Sequence, residues 1–224
     1  MAIIEAVLWD MDGVLLDSER LVRDIFVELM LADKVLQDPE TVYMQSIGLN
    51  QKSIIELYTQ YMFSIEQAEH YFQLVAKTYK QRISSDLLLK PGVLAALQAV
   101  DGEGLPQMIV TSSKTETAKM KIAKFGLQDY FCDILGGDQV THGKPNPEPY
   151  VTACQRLGIN PANALVVEDS PNGILAALAA GTAVIHVPDL IETDPEWTDR
   201  IYDALDSLES FPDWFMMQRG GDWV

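Results

Sequence analysis

The sequence is poor in cysteine, in basic residues and in long apolar runs. Its two cysteines, Cys132 and Cys154, form no CxxC pair, so neither a disulfide framework nor a thiolate zinc site is indicated and we expect buried free thiols. The 16 basic residues face 33 acidic ones, and the net charge of -17 argues against binding to nucleic acid or to an anionic membrane. No run approaches the roughly 18 apolar residues of a membrane span, and the N-terminus lacks a signal peptide's basic region. We therefore expect a cytoplasmic protein, monomeric or weakly self-associating, without nucleic-acid or membrane partners.

Short apolar runs that stop at a polar residue recur along the chain. They cover residues 3–9, 108–110, 134–135, 164–167 and 183–187, and each is typical of a buried parallel strand. Helix signals follow, such as Asn146-Pro147 with Gly158 beyond, and Ser170-Pro171 with Gly181 beyond. This alternation predicts an α/β fold with a doubly wound parallel sheet, in which ligands bind at the carboxyl ends of the strands.

The segment 17–86 interrupts the alternation with one helical pattern after another. We predict helices over 18–32 and 50–61, and a third that Ser64 and Gln67 open as a capping box and that continues toward residue 83. The predicted domains are therefore a Rossmann-like core, 1–16 with 87–224, and an inserted helical domain, 17–86. An insertion directly after the first strand is a candidate lid over the strand ends.

Two aspartates, Asp10 and Asp12, end the first apolar run ahead of Gly13. A hairpin at Asp-Gly is one interpretation. The other is a metal site, because side chains two apart on extended backbone face the same side, and two close carboxylates require a compensating cation. Glu168 and Asp169 end a later strand and can serve the same ion, although helix capping before Pro171 also explains them. Oxygen ligands without histidine or thiolate favour Mg²⁺ over zinc.

Hydroxyls and one lysine are candidates for binding an anion. Thr111, Ser112 and Ser113 follow a strand and precede a helical segment, where hydroxyls and helix-start amides can hold phosphate. Lys144 lies in a proline-rich loop, HGKPNPEPY, and can balance a phosphoryl group and a carboxylate together. Taken singly, a helix start and a solvated lysine are the ordinary interpretations. Together with the acidic strand ends they indicate phosphate chemistry.

Four ordered motifs resemble those of the haloacid dehalogenase (HAD) superfamily of phosphohydrolases. They are DMDGVL from Asp10, VTS from Val110, GKP from Gly143 and VVEDS from Val166. The segment NGILAALAAG, which begins at Asn172, also resembles the family's helix after the fourth motif. The helical insertion resembles the α-helical cap of the beta-phosphoglucomutase-like branch. The resemblance implies a Rossmann-like catalytic core and a cap domain.

The resemblance also implies roles for these residues. Asp10 would be the nucleophile that forms an aspartyl-phosphate, and Asp12 would protonate the leaving alcohol and later take a proton from water. Thr111 and Lys144 would hold the phosphoryl oxygens. Mg²⁺ would bind Asp10, the backbone carbonyl of Asp12 and Asp169, with Glu168 either reaching the ion through water or orienting its neighbours. Gly13 would let the chain turn from the strand into the cap, so we favour strand and catalytic loop over hairpin.

The resemblance favours a phosphatase. Val22 and Gln51 stand where the sugar phosphomutases of this branch have a histidine and an arginine, which makes a mutase the alternative rather than the first choice. Asp12 argues against dehalogenase and phosphonate hydrolase chemistry. We expect a small phosphomonoester substrate, with a sugar phosphate first, whose leaving group contacts Asn50, Gln51 and Lys52 in the cap.

Two further hypotheses concern signalling and the C-terminal tail. A response-regulator receiver also uses a phosphoacceptor aspartate, but it is about half this length and has no helical insertion. We expect the apolar residues of the tail to pack on the core as a last helix, with an oligomer contact as the alternative. These residues are Trp214, Phe215, Met216, Met217 and Trp223.

Overall fold

The structure, a computed structural model, describes residues 4–47, 49, 51–191 and 195–220. Residue 3, Asn50 and Trp223, on which parts of the sequence predictions fall, lie outside these residues. The chain divides into two compact units. We call Met1–Leu16 with Leu89–Val224 the sheet unit, and Asp17–Leu88 the helical unit.

The sheet unit is built on a six-stranded sheet in the order β3-β2-β1-β4-β5-β6, and every pairing is parallel. The predicted doubly wound α/β fold is confirmed, and the hairpin interpretation is wrong because β1 pairs in parallel with β2 and β4. The sequence did not reveal β6. The strands are β1 Ala6–Trp9, β2 Gln107–Val110, β3 Asp133–Leu135, β4 Ala164–Glu168, β5 Ala183–His186 and β6 Asp203–Ala204.

The strand order reverses direction at β1. The chain passes from β1 to β2 on one side, and β4 lies on the other. In open α/β sheets such a reversal opens a crevice at the carboxyl ends of the strands. Residues that follow β1 and β2, or that end β4, are thus brought together although they are far apart in sequence.

The described residues of the helical unit form four helices: α1 Ser18–Ala32, α2 Pro39–Ser46, α3 Gln51–Tyr61 and α4 Ile65–Asp86. The Ser64 hydroxyl accepts the Gln67 amide as predicted, but the Gln67 side chain accepts from the Phe63 amide, so the capping box is incomplete. Helix α2 was not predicted, although Asp38 caps it by accepting the Thr41 amide ahead of Pro39. The ring of Phe26 stacks on Tyr58, with a centroid distance of 4.9 Å, in the core of this unit.

The remaining helices belong to the sheet unit: α5 Val93–Gly102, α6 Thr115–Lys124, α7 Glu148–Leu157, α8 Pro171–Ala180, α9 Pro195–Thr198 and α10 Phe211–Gly220. Helix α8 begins and ends as predicted, with the Ser170 hydroxyl accepting the Gly173 amide and Gly181 at φ +80°. Helix α7 begins one residue later than expected, because the side-chain Oδ1 of Asn146 accepts the amide of Glu148 and Pro147 precedes the helix.

The core of the sheet unit surrounds β1, whose four residues are all buried. The Trp9 indole donates to Gln107 at 3.0 Å and packs on Phe211 at the start of α10. Phe215 is also buried, so the core interpretation of the tail is confirmed there, whereas Met216 and Met217 are exposed.

Cys154 is buried as expected, but Cys132 is exposed, because it precedes the edge strand β3. No helix in the described ranges has the length and apolar character to cross a bilayer.

Candidate active site

The ends of β1, β2 and β4 hold three of the predicted polar residues. The Asp10 amide donates to the Val167 carbonyl and the Thr111 amide donates to the Leu135 carbonyl, both at 3.0 Å. The ladder hydrogen bonds therefore continue one residue past β1 and β2, which fixes Asp10 and Thr111 relative to Glu168, the last residue of β4. This is the edge of the sheet where the topology predicts a ligand site.

The ammonium of Lys144 joins these strand ends. Its Nζ donates to Asp10 Oδ1 at 2.5 Å, to Glu168 Oε1 at 2.7 Å and to the Val110 carbonyl at 2.9 Å. Only 5% of the Lys144 side chain is exposed, so the interpretation of a solvated lysine is wrong. Burial alone lowers the pKa of a lysine, but Asp10 and Glu168 hold the pKa of Lys144 well above its usual value. The lysine is therefore charged.

The pKa values of the two carboxyls that contact Lys144 are shifted in opposite directions. Burial raises the pKa of Asp10 to about 8, against the opposing effect of Lys144, and the nearby carboxylates add to the rise. Burial acts the same way on Glu168, but Lys144 and several hydrogen bonds together bring the pKa of Glu168 below its usual value. One ammonium thus stabilises the Glu168 carboxylate, and Asp10 needs a further cation to be ionised at neutral pH.

Glu168 is held by hydrogen bonds to both of its oxygens. Oε1 accepts from the Tyr150 hydroxyl at 2.8 Å as well as from Lys144, and Oε2 accepts from the amides of Asp169 and Ser170 and from the Ser170 hydroxyl, each at 3.0 Å. The backbone of Gly173 approaches so closely that a Cβ there would lie 1.7 Å from Oε1. This geometry supports an orienting role for Glu168.

Three carboxylates can hold a metal ion. Oxygens of Asp10, Glu168 and Asp169 lie within 4.8 Å of one another. The donor set consists of hard oxygens, and burial keeps the pKa of Asp10 raised despite its contact with Lys144, so a divalent cation that stabilises the ionised carboxylate fits this cluster. Gly13 has φ +95°, and a Cβ at that position would lie 2.1 Å from Asp169 Oδ2. Gly13 therefore provides both the backbone conformation and the space that Asp169 requires.

The Asp12 carboxylate contacts residues outside this cluster. Its Oδ2 accepts the Ser113 hydroxyl at 2.8 Å and its Oδ1 accepts Lys121 Nζ at 2.6 Å. Ser113 was predicted to bind substrate, and the structure places its hydroxyl on Asp12. Sequence reasoning missed Lys121, although a lysine beside Ala118 and Ile122 on the buried face of α6 is a signal in the sequence. It also missed Tyr150, which ends the HGKPNPEPY loop motif.

Some of the hydrogen-bond donors predicted to bind an anion at the start of α6 are used within the protein. Asp138 accepts both the amide and the hydroxyl of Thr115, at 2.7 and 2.8 Å. The hydroxyl oxygen of Thr111 accepts the Ser113 amide at 3.1 Å, which leaves the Thr111 proton able to donate to a ligand. Ser112 is exposed. Of the predicted hydroxyls, Thr111 is thus the one buried beside Asp10 and Lys144.

The predicted cap residues lie at the beginning of α3. Gln51 and Lys52 are both exposed, and Lys52 Nζ lies 3.9 Å from Glu56. The helical unit also contains a partly open cavity of about 330 Å³ whose wall includes Val22, Ile54 and Phe72. Mainly apolar and tyrosine side chains line it.

Comparison with known proteins decides the family. The family model of haloacid dehalogenase-like hydrolases matches residues 4–181. The chain belongs to this family. It is 31% identical to the phosphorylated carbohydrates phosphatase of Thermotoga maritima, covering 82% of this chain and 84% of that protein. It is 30% identical to the phosphoglycolate phosphatase of Neisseria gonorrhoeae, covering 92% of each.

A solved structure from the same family agrees with the fold. The crystal structure of a protein from Thermotoga maritima, provisionally named a beta-phosphoglucomutase, is 25% identical, with a TM-score of 0.80 and coverage of 96% of this chain and 99% of that one. The curated relatives above are HAD phosphatases. This HAD protein is accordingly a phosphoric monoester hydrolase.

Proposed function

We propose that the protein hydrolyses a small phosphomonoester, with a sugar phosphate as the first candidate, through an aspartyl-phosphate on Asp10 in the presence of Mg²⁺. The observation that carries the proposal is the contact of Lys144 with Asp10 and Glu168 at the carboxyl edge of the sheet. There the Lys144 ammonium contacts both Asp10, the proposed nucleophile, and Glu168, which orients the acidic cluster.

In the first half-reaction an Asp10 oxygen attacks phosphorus in line with the leaving oxygen. The new bond joins that carboxylate oxygen to phosphorus, and the bond between phosphorus and the substrate oxygen breaks. Asp12 gives its proton to the departing oxygen, so the products are the free alcohol and aspartyl-phosphate. Thr111 and Lys144 donate hydrogen bonds to the phosphoryl oxygens, where negative charge develops.

In the second half-reaction a water molecule attacks the same phosphorus. Asp12 accepts a proton from that water, the bond between phosphorus and Asp10 breaks, and inorganic phosphate and the Asp10 carboxylate are released. Both half-reactions use the same phosphoryl contacts from Thr111 and Lys144. Asp12 ends with the proton that it held at the start, so the cycle is balanced.

The metal is assigned to Asp10, Asp169 and the carbonyl of Asp12, with Glu168 orienting the set. When bound, the ion would offset the charge of the carboxylates and of the phosphate that approaches them. The choice of Mg²⁺ rests on the hard oxygen donors and on the lack of a thiolate or imidazole in the cluster formed by the described residues.

Support for the substrate class comes from relatives. One curated relative is a phosphatase of phosphorylated carbohydrates and another acts on phosphoglycolate. We assign contacts with the leaving group to Gln51 and Lys52, because their side chains are exposed rather than packed in the core of the helical unit. Asn50, predicted with them, lies outside the described residues. A mutase remains the less favoured alternative, because Val22 and Gln51 replace the histidine and arginine expected of one.

Phosphate release from sugar, polyol, nucleotide and glycolate phosphates tests the proposal, with wild type and Asp10→Asn assayed with and without Mg²⁺. We expect release that requires both Asp10 and the metal. Release that persists in Asp10→Asn would refute the mechanism. Turnover that appears only with a sugar bisphosphate primer would indicate the mutase, and an acyl phosphate that outlives the assay would indicate a signalling phosphoacceptor.

The cap assignment has a test of its own. Gln51→Ala and Lys52→Ala should change the order of preference among the substrates, whereas Glu69→Ala, an exposed change on α4, should not. An unchanged order in the first two variants would remove these residues from the site.

A further inference from the structure

Lys121 is a buried lysine whose ammonium contacts the carboxylate of Asp12. It lies on α6, only 3% of its side chain is exposed, and its Nζ is 2.6 Å from Asp12 Oδ1. Burying a lysine is costly unless an opposite charge accompanies it. A lysine at this position therefore serves its carboxylate partner, since packing on α6 would be met better by an apolar side chain.

The second oxygen of the same carboxylate is also held. Ser113 donates its hydroxyl to Asp12 Oδ2 at 2.8 Å. Ser113 and Lys121 belong to one short stretch of chain that runs from the loop after β2 into α6. Each carboxylate oxygen thus has a donor from this stretch, which restricts the orientation of the carboxylate.

We propose that Lys121 is a positioning residue for the general acid–base step: with Ser113, it holds the Asp12 carboxyl in the orientation from which its proton passes to the leaving oxygen. The inference rests on the proposed function, in which Asp12 performs that transfer. Proton transfer requires hydrogen-bond distance and alignment, and a misoriented donor loses most of its effect. Lys121 itself contacts neither the substrate nor phosphorus in this scheme.

The test compares substrates whose leaving groups need a proton to different degrees. An alkoxide leaves only when protonated, whereas p-nitrophenolate leaves without a proton. The quantity to measure is kcat/KM, because it reports the steps up to departure of the alcohol and excludes hydrolysis of aspartyl-phosphate. In Lys121→Met we expect kcat/KM for the best sugar or polyol phosphate to fall by about 100-fold, the usual contribution of general acid catalysis, and kcat/KM for p-nitrophenyl phosphate to fall by about threefold or less.

A matched control and a double-mutant cycle separate positioning from a structural effect. Lys119→Met removes a lysine from the exposed face of the same helix and should leave both kcat/KM values unchanged. Asp12→Asn should show the same selective loss as Lys121→Met. Adding Lys121→Met to Asp12→Asn should cause no further loss, because two groups that act as a unit are not additive.

Several results would overturn the proposal. They are an equal loss on both substrates, no loss on the alkyl substrate, and a full additional loss in the Asp12→Asn background. If Lys121→Met lacks a cooperative unfolding transition, Ser113→Ala carries the test, and the absence of the selective loss there is equally decisive against it. If wild type turns over neither substrate, or does so without Asp10, the proposed function fails and the role of Lys121 fails with it.

Discussion

Lys144 Nζ donates to Asp10 Oδ1 at 2.5 Å although the two residues are 134 apart in the chain. Both side chains are buried, and Lys144 also contacts Glu168 and the carbonyl that ends β2. Lys144 thus contacts residues at the ends of three adjacent strands, β1, β2 and β4. Its removal should affect stability as well as catalysis.

We expect Lys144→Met to lower kcat by about 100- to 1,000-fold, the cost of losing one fixed donor to the developing charge. Lys144 also forms a buried ion pair with the ionised Glu168. Breaking such a pair from one side costs about 3–5 kcal/mol, so the melting temperature should also fall. Lys114→Met, an exposed lysine before α6, is the control for both measurements. A variant with full activity would remove Lys144 from the mechanism.

Asp10→Asn should stabilise the metal-free protein at neutral pH. Burial raises the pKa of Asp10 to about 8. Between its ordinary pKa and that value the folded state holds a proton that the unfolded state lacks, so the contribution of Asp10 to stability falls as the pH rises. The difference in melting temperature between variant and wild type should therefore grow from about pH 5 to about pH 8, by about 2–4 °C for each kcal/mol.

Added Mg²⁺ should reduce that difference, because it stabilises the ionised Asp10 of the wild type. A difference that stays constant across the pH range, measured by differential scanning calorimetry, would show that Asp10 is ionised throughout.

Gly13→Ala should weaken metal binding. A Cβ there would lie 2.1 Å from Asp169 Oδ2 and would displace that ligand. The Mg²⁺ concentration for half-maximal activity should rise by about 10- to 100-fold, as for other groups that position metal ligands. Gly126→Ala provides the control, since Gly126 also has a positive φ, +67°, but a Cβ there meets nothing within 4 Å. Equal effects of the two variants on the Mg²⁺ requirement would show that backbone strain, not the clash, is responsible.

Tyr150→Phe removes the hydroxyl that donates to Glu168 Oε1. That oxygen keeps Lys144 as a donor, so we expect a moderate loss of stability, about 1–2 kcal/mol in urea unfolding. Tyr61→Phe, which removes a hydrogen bond to Gln45 at the surface, should cost much less. A Tyr150→Phe protein as stable as wild type would mean that the hydroxyl contributes no net stabilisation.

The strand ends of this protein could be predicted from the sequence, because an apolar run that stops at Asp10, Thr111 or Glu168 is visible without any contact information. The topology then brings these residues together, and their proposed roles come from the resemblance to the HAD motifs. The contact of Ser113 with Asp12 could not be predicted in this way. It joins residues 101 apart and depends on the path of the loop between β2 and α6, which no local pattern specifies.

Short elements were also missed, for physical reasons. Strand β6 has two residues at the edge of the sheet and carries too little apolar surface to give a periodic signal. Helix α2 lies between longer helices and has only eight residues. The Asp38–Pro39 pair marks its start, and its apolar face is short. Lys121 was missed because a lysine is ordinarily assigned to the exposed face of a helix.

Gly173 has a consequence for attempts to make this protein more robust. Replacing a glycine inside a helix with alanine is a common way to gain about 1 kcal/mol of stability. At Gly173 the added methyl group would lie 1.7 Å from Glu168 Oε1 and would push that carboxylate away from Lys144. The first turn of α8 therefore borders the candidate active site although it offers no reactive side chain at that position, and Gly173 should be kept unchanged in any attempt to raise the stability of the protein.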